Sequence, residues 1–165
     1  MARLKCICGN TMSNTDVPSK NRIHIFKASH IQETLTKLPS LSLFDYETDK
    51  IDDNNEYWYC PECERVYVVE RKPNGNIIAS FKKAENKSSY QSTELNIIYA
   101  ASDEEIYNAE EKEFSIPLSR FVDTIKLNRM YYITPSNDLV YRLNDNIYEL
   151  VYEKEKNVPS TATNS

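Results

Sequence analysis

Four cysteines in two close pairs, which lie far apart in the chain, constrain this fold more than any other feature. Cys6 and Cys8 form a C-x-C-G motif, and Cys60 and Cys63 form a C-P-x-C motif. A tetrahedral zinc site needs four thiolates, and two short turns that each present two sulfurs meet that need. The pattern therefore predicts one structural Zn²⁺ per chain.

The residues around both pairs suit a metal site. Gly9 permits a tight turn after Cys8, and Pro61 stiffens the second turn. The first pair departs from the usual C-x-x-C spacing. Two other interpretations stay open: disulfides, which a reducing compartment disfavours, and a thioredoxin-like redox pair, which would sit at the start of a helix. The residues after Cys63 alternate like a strand instead, which favours zinc.

The sequence contains no pattern typical of a catalytic site. Four thiolates leave no coordination position for water, which a catalytic zinc ion needs, and no cysteine remains as a nucleophile. The only glycines are Gly9 and Gly75, so glycine-rich phosphate-binding motifs are absent from the sequence. His24 and His30 are not needed as ligands, although the sequence does not decide whether either approaches the metal. We predict that the chain is not an enzyme.

Length and composition indicate one compact domain. The chain has 165 residues, of which 40% are hydrophobic, and its twelve tyrosines favour sheet over a helix bundle. We predict one zinc-stapled α+β domain over residues 1–156, with antiparallel hairpins, a few short helices and a zinc-ribbon-like four-cysteine site. A sub-division is expected near residues 84–92. Residues 157–165 are small and polar, and we expect a disordered tail.

Alternation and turn residues predict the individual elements. Asn74-Gly75, between residues 65–71 and 77–81, predicts a hairpin because this dipeptide supplies positive backbone angles. The acidic stretch 45–56 is predicted to be a loop. Further strands are predicted at 22–27, 95–100, 129–134, 139–143 and 147–152, with helices opening near Ser29, Ser102 and Pro117.

The N-terminus and the apolar stretches indicate a cytoplasmic protein. The first six residues carry basic side chains with no apolar run behind them, so they are not typical of a secretory signal. No apolar stretch approaches the ~20 residues that cross a bilayer, and we expect no membrane partner.

Acidic residues are concentrated in two runs. The formal net charge is −5, yet residues 45–56 and residues 103–113 each carry −5, so the remainder is positive. Two solvated faces are the ordinary explanation. A surface for a basic protein partner is the functional one, since aromatic residues border the first run: Phe44, Tyr46, Tyr57, Trp58 and Tyr59. The candidate partner-binding residues are Asp45, Glu47, Asp49, Asp52, Asp53, Glu56, Asp103, Glu104, Glu110 and Glu111.

Nucleic acid is the alternative partner, because zinc ribbons often bind it. The region of the predicted hairpin is locally basic, through Arg65, Arg71, Lys72, Lys82, Lys83 and Lys87. Affinity for nucleic acid depends on neutralising phosphates, and the acidic chain as a whole opposes that. We therefore expect no tight binding of nucleic acid.

Three segments carry a family resemblance: LKCICG at residues 4–9, YCPEC at residues 59–63 before a strand, and SDEEI at residues 102–106. Together they resemble small bacterial zinc-ribbon proteins of the immunity type, which neutralise the toxic domain of a secreted polymorphic toxin. Only the cysteine pairs are specific, and Glu64 stands where zinc ribbons commonly have glycine. The resemblance implies a non-enzymatic inhibitor that binds a cognate, basic toxin domain, such as a nuclease, and it assigns no inhibitory residue.

Overall fold

The computed structural model describes residues 3–49, 55–71, 75–90, 94–113 and 116–158. These ranges contain eleven strands and four helices. The strands are β1 Arg3–Lys5, β2 Thr11–Ser13, β3 Arg22–Lys27, β4 Asn55–Tyr59, β5 Val66–Glu70, β6 Ile77–Lys83, β7 Ser89–Tyr90, β8 Asn96–Ser102, β9 Met130–Ile133, β10 Leu139–Asn144 and β11 Ile147–Lys154. The helices are α1 Ala28–Lys37, α2 Leu43–Asp49, α3 Asp103–Glu113 and α4 Leu118–Asn128.

Eight strands form a closed antiparallel barrel. Their order is β10-β9-β8-β3-β4-β5-β6-β11, and the pairing of β10 with β11 closes the ring. β7 pairs with Tyr148 and Glu149 of β11, next to the stretch of β11 that pairs with β6, and β1 and β2 form a separate two-stranded sheet. The junction of β3 and β4 is short, with only Arg22 opposite Trp58 and Ile23 opposite Tyr57.

The predicted α+β, zinc-ribbon-like fold class is wrong, because the strands close into a mainly β barrel. Alternation within a segment indicates that a strand exists, but not which strand it pairs with. The barrel depends on pairings between distant segments, such as Phe26 with Tyr99 and Phe81 with Lys154. No turn motif marks these pairings in the sequence.

The four helices pack beside β3 and β8 around a helix-side core. The ring of Phe26 stacks on Tyr46 with centroids 6.1 Å apart and meets Phe121 edge-on at 6.2 Å. None of the helices in the described part of the chain is long and apolar enough to cross a membrane. The helix-side core comprises Phe26, Ile31, Leu43, Tyr46, Tyr99, Ala101, Ile106, Ile116, Leu118, Phe121, Val122 and Ile125.

A second core lies where the N-terminal β1–β2 hairpin packs on β4 and β5. Met12 from β2 is fully buried there, as is Tyr67 from β5. Burial of such side chains fixes the hairpin against the barrel. The cysteine-side core comprises Leu4, Cys6, Met12, Trp58, Cys60, Tyr67 and Val69.

Most local predictions are confirmed. The predicted hairpin strands are present as the paired strands β5 and β6, while residues 72–74 of the predicted turn lie outside the described residues. The strands predicted near 22–27, 95–100, 129–134, 139–143 and 147–152 are present as β3 and β8–β11. The helix expected near Ser29 begins one residue earlier, at Ala28, and has no side-chain cap. The loop predicted at 45–56 is wrong at both ends, since α2 continues to Asp49 and β4 begins at Asn55, while residues 50–54 lie outside the described residues.

The predicted domain limits stay predictions. The segment 84–92, where a sub-division was expected, contains β7 and lies between β6 and β8, which both belong to the one barrel; residues 91 and 92 lie outside the described residues. Of the expected tail, residues 159–165 lie outside the described residues.

Candidate metal centre

The turn of the first cysteine pair connects β1 to β2. Cys6 accepts a hydrogen bond from the Gly9 N–H at 2.9 Å and donates its own N–H to the Asn10 carbonyl at 2.8 Å. Gly9 has a φ of +96°, a backbone conformation that residues other than glycine rarely adopt. Glycine there lets the chain reverse between the strands while Cys6 and Cys8 remain on the turn.

The turn of the second pair connects β4 to β5. The N–H of Cys60 donates to the Arg65 carbonyl at 2.9 Å, and the N–H of Glu64 donates to the Cys60 carbonyl at 2.8 Å. Glu64 has a φ of +57°, at the position where zinc ribbons commonly carry glycine. The turn is thus of the kind that glycine favours, although a glutamate occupies it.

The two turns bring all four sulfurs together. They lie within 4.8 Å of one another, with Cys6 Sγ 3.4 Å from Cys63 Sγ and Cys8 Sγ 3.7 Å from Cys60 Sγ. A tetrahedral zinc site with Zn–S bonds of ~2.3 Å requires sulfur separations of roughly 3.8 Å. The donor set and its spacing therefore fit a single four-coordinate metal ion.

Hydrogen-bond donors surround the sulfurs. The Tyr67 hydroxyl lies 3.1 Å from Cys6 Sγ and accepts the Ile7 N–H at 3.3 Å, so its own proton is free to point at the sulfur. The Asn10 amide donates to Cys60 Sγ at 3.5 Å. Arg65, two residues after Cys63, pairs with Glu155 at 3.2 Å. Donors in these positions orient metal ligands and offset the charge of a four-thiolate site.

These donors were missed by the sequence reasoning. The sequence pattern indicates only that Tyr67 is one of the alternating residues of a strand and that Asn10 lies in a turn. Tyr67 lies in β5, four residues after Cys63. Its contact with Cys6 could have been predicted only with the knowledge that β5 packs under the turn between β1 and β2.

The thiols differ in acidity before any metal binds. Burial raises the pKa of the Cys6 thiol to about 12. Burial would also raise the pKa of Cys60, but hydrogen bonds from the Asn10 amide and from the backbone of Cys63 and Glu62 outweigh it and lower the value to about 6. A metal ion must therefore displace a proton from Cys6 at neutral pH, so binding is coupled to proton release.

Neither histidine belongs to the metal site. His24 lies between two carboxylates: Nε2 is 2.8 Å from Asp103 Oδ1, and Nδ1 is 3.4 Å from Glu47 Oε2. His30 Nδ1 contacts the Tyr46 hydroxyl at 3.0 Å. Within the described ranges, the four cysteines form the one group of three or more His, Cys, Asp and Glu side chains that could hold a metal ion.

His24 on β3 contacts a carboxylate on α2 and another on α3. Burial would lower its pKa, but the bonds to Asp103 and Glu47 outweigh burial and raise it. The pKa of Asp103 is lowered, since the bond from His24 and the N–H of Ser19 at 2.7 Å outweigh burial. Burial and the negative charge of Glu47 raise the pKa of Glu110 on α3. The acidic helices α2 and α3 therefore meet at His24.

The predicted partner-binding acids divide into internal and exposed residues. Glu47 and Asp103 contact His24, and Glu56 pairs with Arg22 and Arg71. Residues Asp45, Glu104 and Glu111 are exposed, although Asp45 accepts a bond from Ser42, and Glu111 one from Tyr107. Asp52, Asp53 and the side chain of Asp49 lie outside the described residues.

The aromatic residues expected at an interface are mostly in the core. Tyr46 and Trp58 are each 2% exposed. Tyr57 and Tyr59 are half-buried in β4. Phe44 on α2 is 55% exposed, beside Asp45. Of the five aromatic residues predicted to border the acidic run, Phe44 is the one with an exposed side chain.

The basic residues of the hairpin region are ion-paired. Five of the six predicted residues lie in the described part of the chain, and each has a carboxylate within 4 Å; Lys72 lies outside it. The pairs are Arg65–Glu155, Arg71–Glu56, Lys82–Glu153, Lys83–Glu64 and Lys87–Glu149.

Comparison with known protein families yields a match. The family described as Domain of unknown function (DUF8617) matches residues 2–111, a span that includes all four cysteines and most of α3. No curated protein and no solved structure matches the chain.

Proposed function

The chain belongs to the DUF8617 family, and we propose that it is a zinc-binding protein without catalytic activity that acts by binding another protein. The observation that carries this proposal is the cluster of four cysteine sulfurs within 4.8 Å. Four protein ligands complete a tetrahedral shell, which suits a structural ion and leaves no position for a reacting water.

Zinc is the ion that this donor set favours. Four thiolates in a tetrahedron select zinc or iron over the hard cations magnesium and calcium. The site ties the N-terminal hairpin to the turn between β4 and β5, which is a structural task that needs no redox change. Reduced, freshly purified protein should contain one zinc per chain and lack the visible absorption of an iron–thiolate centre. Metal content near zero would refute the zinc assignment.

The partner that we propose is a basic protein domain, in line with an immunity protein that inhibits a cognate toxin such as a nuclease. Support comes from the convergence of the acidic helices α2 and α3 at His24, which places the exposed Asp45, Glu104 and Glu111 on neighbouring elements. Such a concentration of charge speeds the encounter with a basic cleft. Phe44 supplies an exposed aromatic side chain on the same helix as Asp45.

The alternative is nucleic acid, and the ion pairs of the hairpin region oppose it. A lysine or arginine that is already paired with a carboxylate must break that pair before it can neutralise a phosphate. Binding at physiological salt should therefore be no tighter than the nonspecific range of ~10⁻⁴ to 10⁻⁶ M. Sub-micromolar binding that is lost when Lys82 and Lys83 are changed to glutamate would favour this alternative.

Co-expression tests the partner. A toxin domain encoded beside this chain is expressed in a sensitive bacterium with the wild-type chain or with Asp45→Asn/Glu104→Gln/Glu111→Gln. We expect the wild type to rescue growth and the triple variant to form the complex more slowly. Glu33→Gln/Glu85→Gln/Asp123→Asn removes the same charge from residues outside α2 and α3 and should behave as wild type. No rescue and no complex on gel filtration would refute the immunity role.

A further inference from the structure

We propose that the cysteine cluster is also a peroxide-reactive site, at which oxidation releases the metal ion and joins the two turns through the disulfides Cys6–Cys63 and Cys8–Cys60. This chemistry rests on the proposed zinc site and adds to it a class of reactant and a defined product.

The sulfur geometry selects these two pairs. Cys6 Sγ lies 3.4 Å from Cys63 Sγ, and Cys8 Sγ lies 3.7 Å from Cys60 Sγ. A disulfide has a length of ~2.05 Å, so each pair must close by only about 1.5 Å. The two pairs share no cysteine and can form in the same molecule.

In each of the two pairs, Cys6–Cys63 and Cys8–Cys60, one sulfur is more exposed to solvent than the other. Cys8 is exposed and its neighbour Cys60 is buried, while Cys63 is half-buried and its neighbour Cys6 is buried. Each cross-turn pair therefore contains one sulfur that a small oxidant can reach and one that is shielded from it. Such an arrangement gives each pair one sulfur that peroxide oxidises first and one that then forms the disulfide with it.

Pairs within one turn are the competing products. Cys60 and Cys63 have the spacing of redox-active C-x-x-C pairs, but their pairing would leave Cys6 to join Cys8 across a single residue. The first turn is held by the bonds from the Gly9 N–H to Cys6 and from the Cys6 N–H to Asn10. Joining Cys6 to Cys8 would distort that turn, whereas the cross-turn pairs leave both turns unchanged.

The reaction balances with hydrogen peroxide as the oxidant. The accessible thiolate attacks a peroxide oxygen, the O–O bond breaks, and a sulfenic acid and hydroxide form. The buried thiolate then attacks that sulfur, the S–O bond breaks, and a disulfide and a second hydroxide form. Two peroxides thus convert four thiolates into two disulfides and four hydroxides, and the metal ion leaves with its oxidation state unchanged.

The product keeps the N-terminal hairpin attached to the barrel. Each cross-turn disulfide joins the β1–β2 turn to the β4–β5 turn, as the four-sulfur site does. Met12 and Tyr67 should therefore stay packed in the cysteine-side core after the metal has left. Local pairs would instead release the hairpin from the second turn.

Peroxide treatment of the zinc-loaded full chain, with a chromophoric zinc indicator present, tests this. We expect release of one zinc per chain and a mass about 4 Da below that of the reduced, metal-free chain. Trypsin leaves each cysteine pair within one peptide, residues 6–20 and 51–65. The cross-turn product therefore appears as one linked pair of peptides, and partial reduction with two alkylating reagents assigns its bonds as Cys6–Cys63 and Cys8–Cys60.

The same chain oxidised in guanidinium chloride is the control, because an unfolded chain favours pairs that close short loops. Separate, internally oxidised peptides from the folded protein would overturn the proposal, as would sulfinic acids in place of disulfides. Protein that is purified without metal would refute the zinc site and the release step together. Zinc that is bound but not released by peroxide would refute this inference alone.

Discussion

At the residue scale, the cysteines and the side chains beside them have different parts in the candidate metal site. The sulfurs would supply the ligand atoms, while Tyr67 and Asn10 supply hydrogen-bond donors to the sulfurs. Such outer partners commonly alter metal affinity without themselves touching the ion. Cys6 depends most on its partner, since it is buried and the Tyr67 hydroxyl lies only 3.1 Å away.

Replacing Tyr67 with phenylalanine should therefore weaken metal binding. Loss of an outer hydrogen bond of this kind costs roughly 10- to 100-fold in affinity. Competition against a chromophoric chelator would measure the change. Tyr59→Phe is the matched control, because Tyr59 adjoins the same site but its hydroxyl bonds to none of the described sulfurs. Equal losses in both variants would contradict a specific role for the Tyr67 hydroxyl.

His24 should make the stability of the protein depend on pH. Its pKa is raised above the ordinary value of 6.5, so its contribution is complete below pH 6.5 and is lost as the pH rises through the folded-state pKa. The lowered pKa of Asp103 acts oppositely: its contribution is present above its ordinary value of 3.8 and is lost as the pH falls through the folded-state pKa.

The free energy of unfolding should therefore differ most between wild type and His24→Gln at pH 4–6.5, and this difference should shrink as the pH rises further. Urea unfolding at several pH values would measure it. The comparison between the two proteins cancels the loss of metal at low pH, which both share. A difference that does not change with pH would show that His24 acts only through packing.

At the element scale, local sequence signals predict structure where the chain supplies its own partner. The strands on either side of the Asn74-Gly75 dipeptide pair as β5 and β6, and the Ser102–Glu105 capping box opens α3 with both of its bonds present. The local sequence signals do not predict α2. Its side chains Leu43 and Tyr46 face the core, but the acidic residues around them led to the prediction of a loop. A helix of seven residues has too few apolar positions to show a period.

Ser102→Ala should destabilise the protein by ~1 kcal/mol, because Ser102 Oγ accepts the Glu105 N–H at 3.2 Å at the start of α3. The melting temperature or the urea midpoint would record the loss. Ser29→Ala is the control, since Ser29 lies inside α1, whose N-cap residue is Lys27. That substitution should be neutral or stabilise by a few tenths of a kcal/mol through helix propensity. Equal losses in both variants would show that the capping bond contributes nothing measurable.

At the scale of the whole molecule, the sequence predicted the four-cysteine cluster, which could hold a metal ion, but not the barrel. Four cysteines in two pairs identify the ligand set, because few arrangements other than a metal site bring such pairs together. The barrel closes through β10 with β11 and β3 with β8, and those pairings come from the packing of the assembled strands. Two separate cores result, one under the helices and one beside the sulfurs.

This separation predicts how the protein should respond to loss of metal. Structural zinc contributes on the order of 10–16 kcal/mol of apparent binding energy in small peptides, much of it coupled to folding. Chelation should therefore raise amide hydrogen exchange first in β1, β2, β4 and β5, which surround the cysteine-side core, and leave α4 and β8 protected for longer. Leu118→Ala, which should cost ~2–5 kcal/mol in the helix-side core, should show the reverse order with metal bound. Simultaneous exposure of both regions on chelation would mean that the barrel unfolds as one cooperative unit, and that the metal ion supports the whole molecule rather than its N-terminal hairpin.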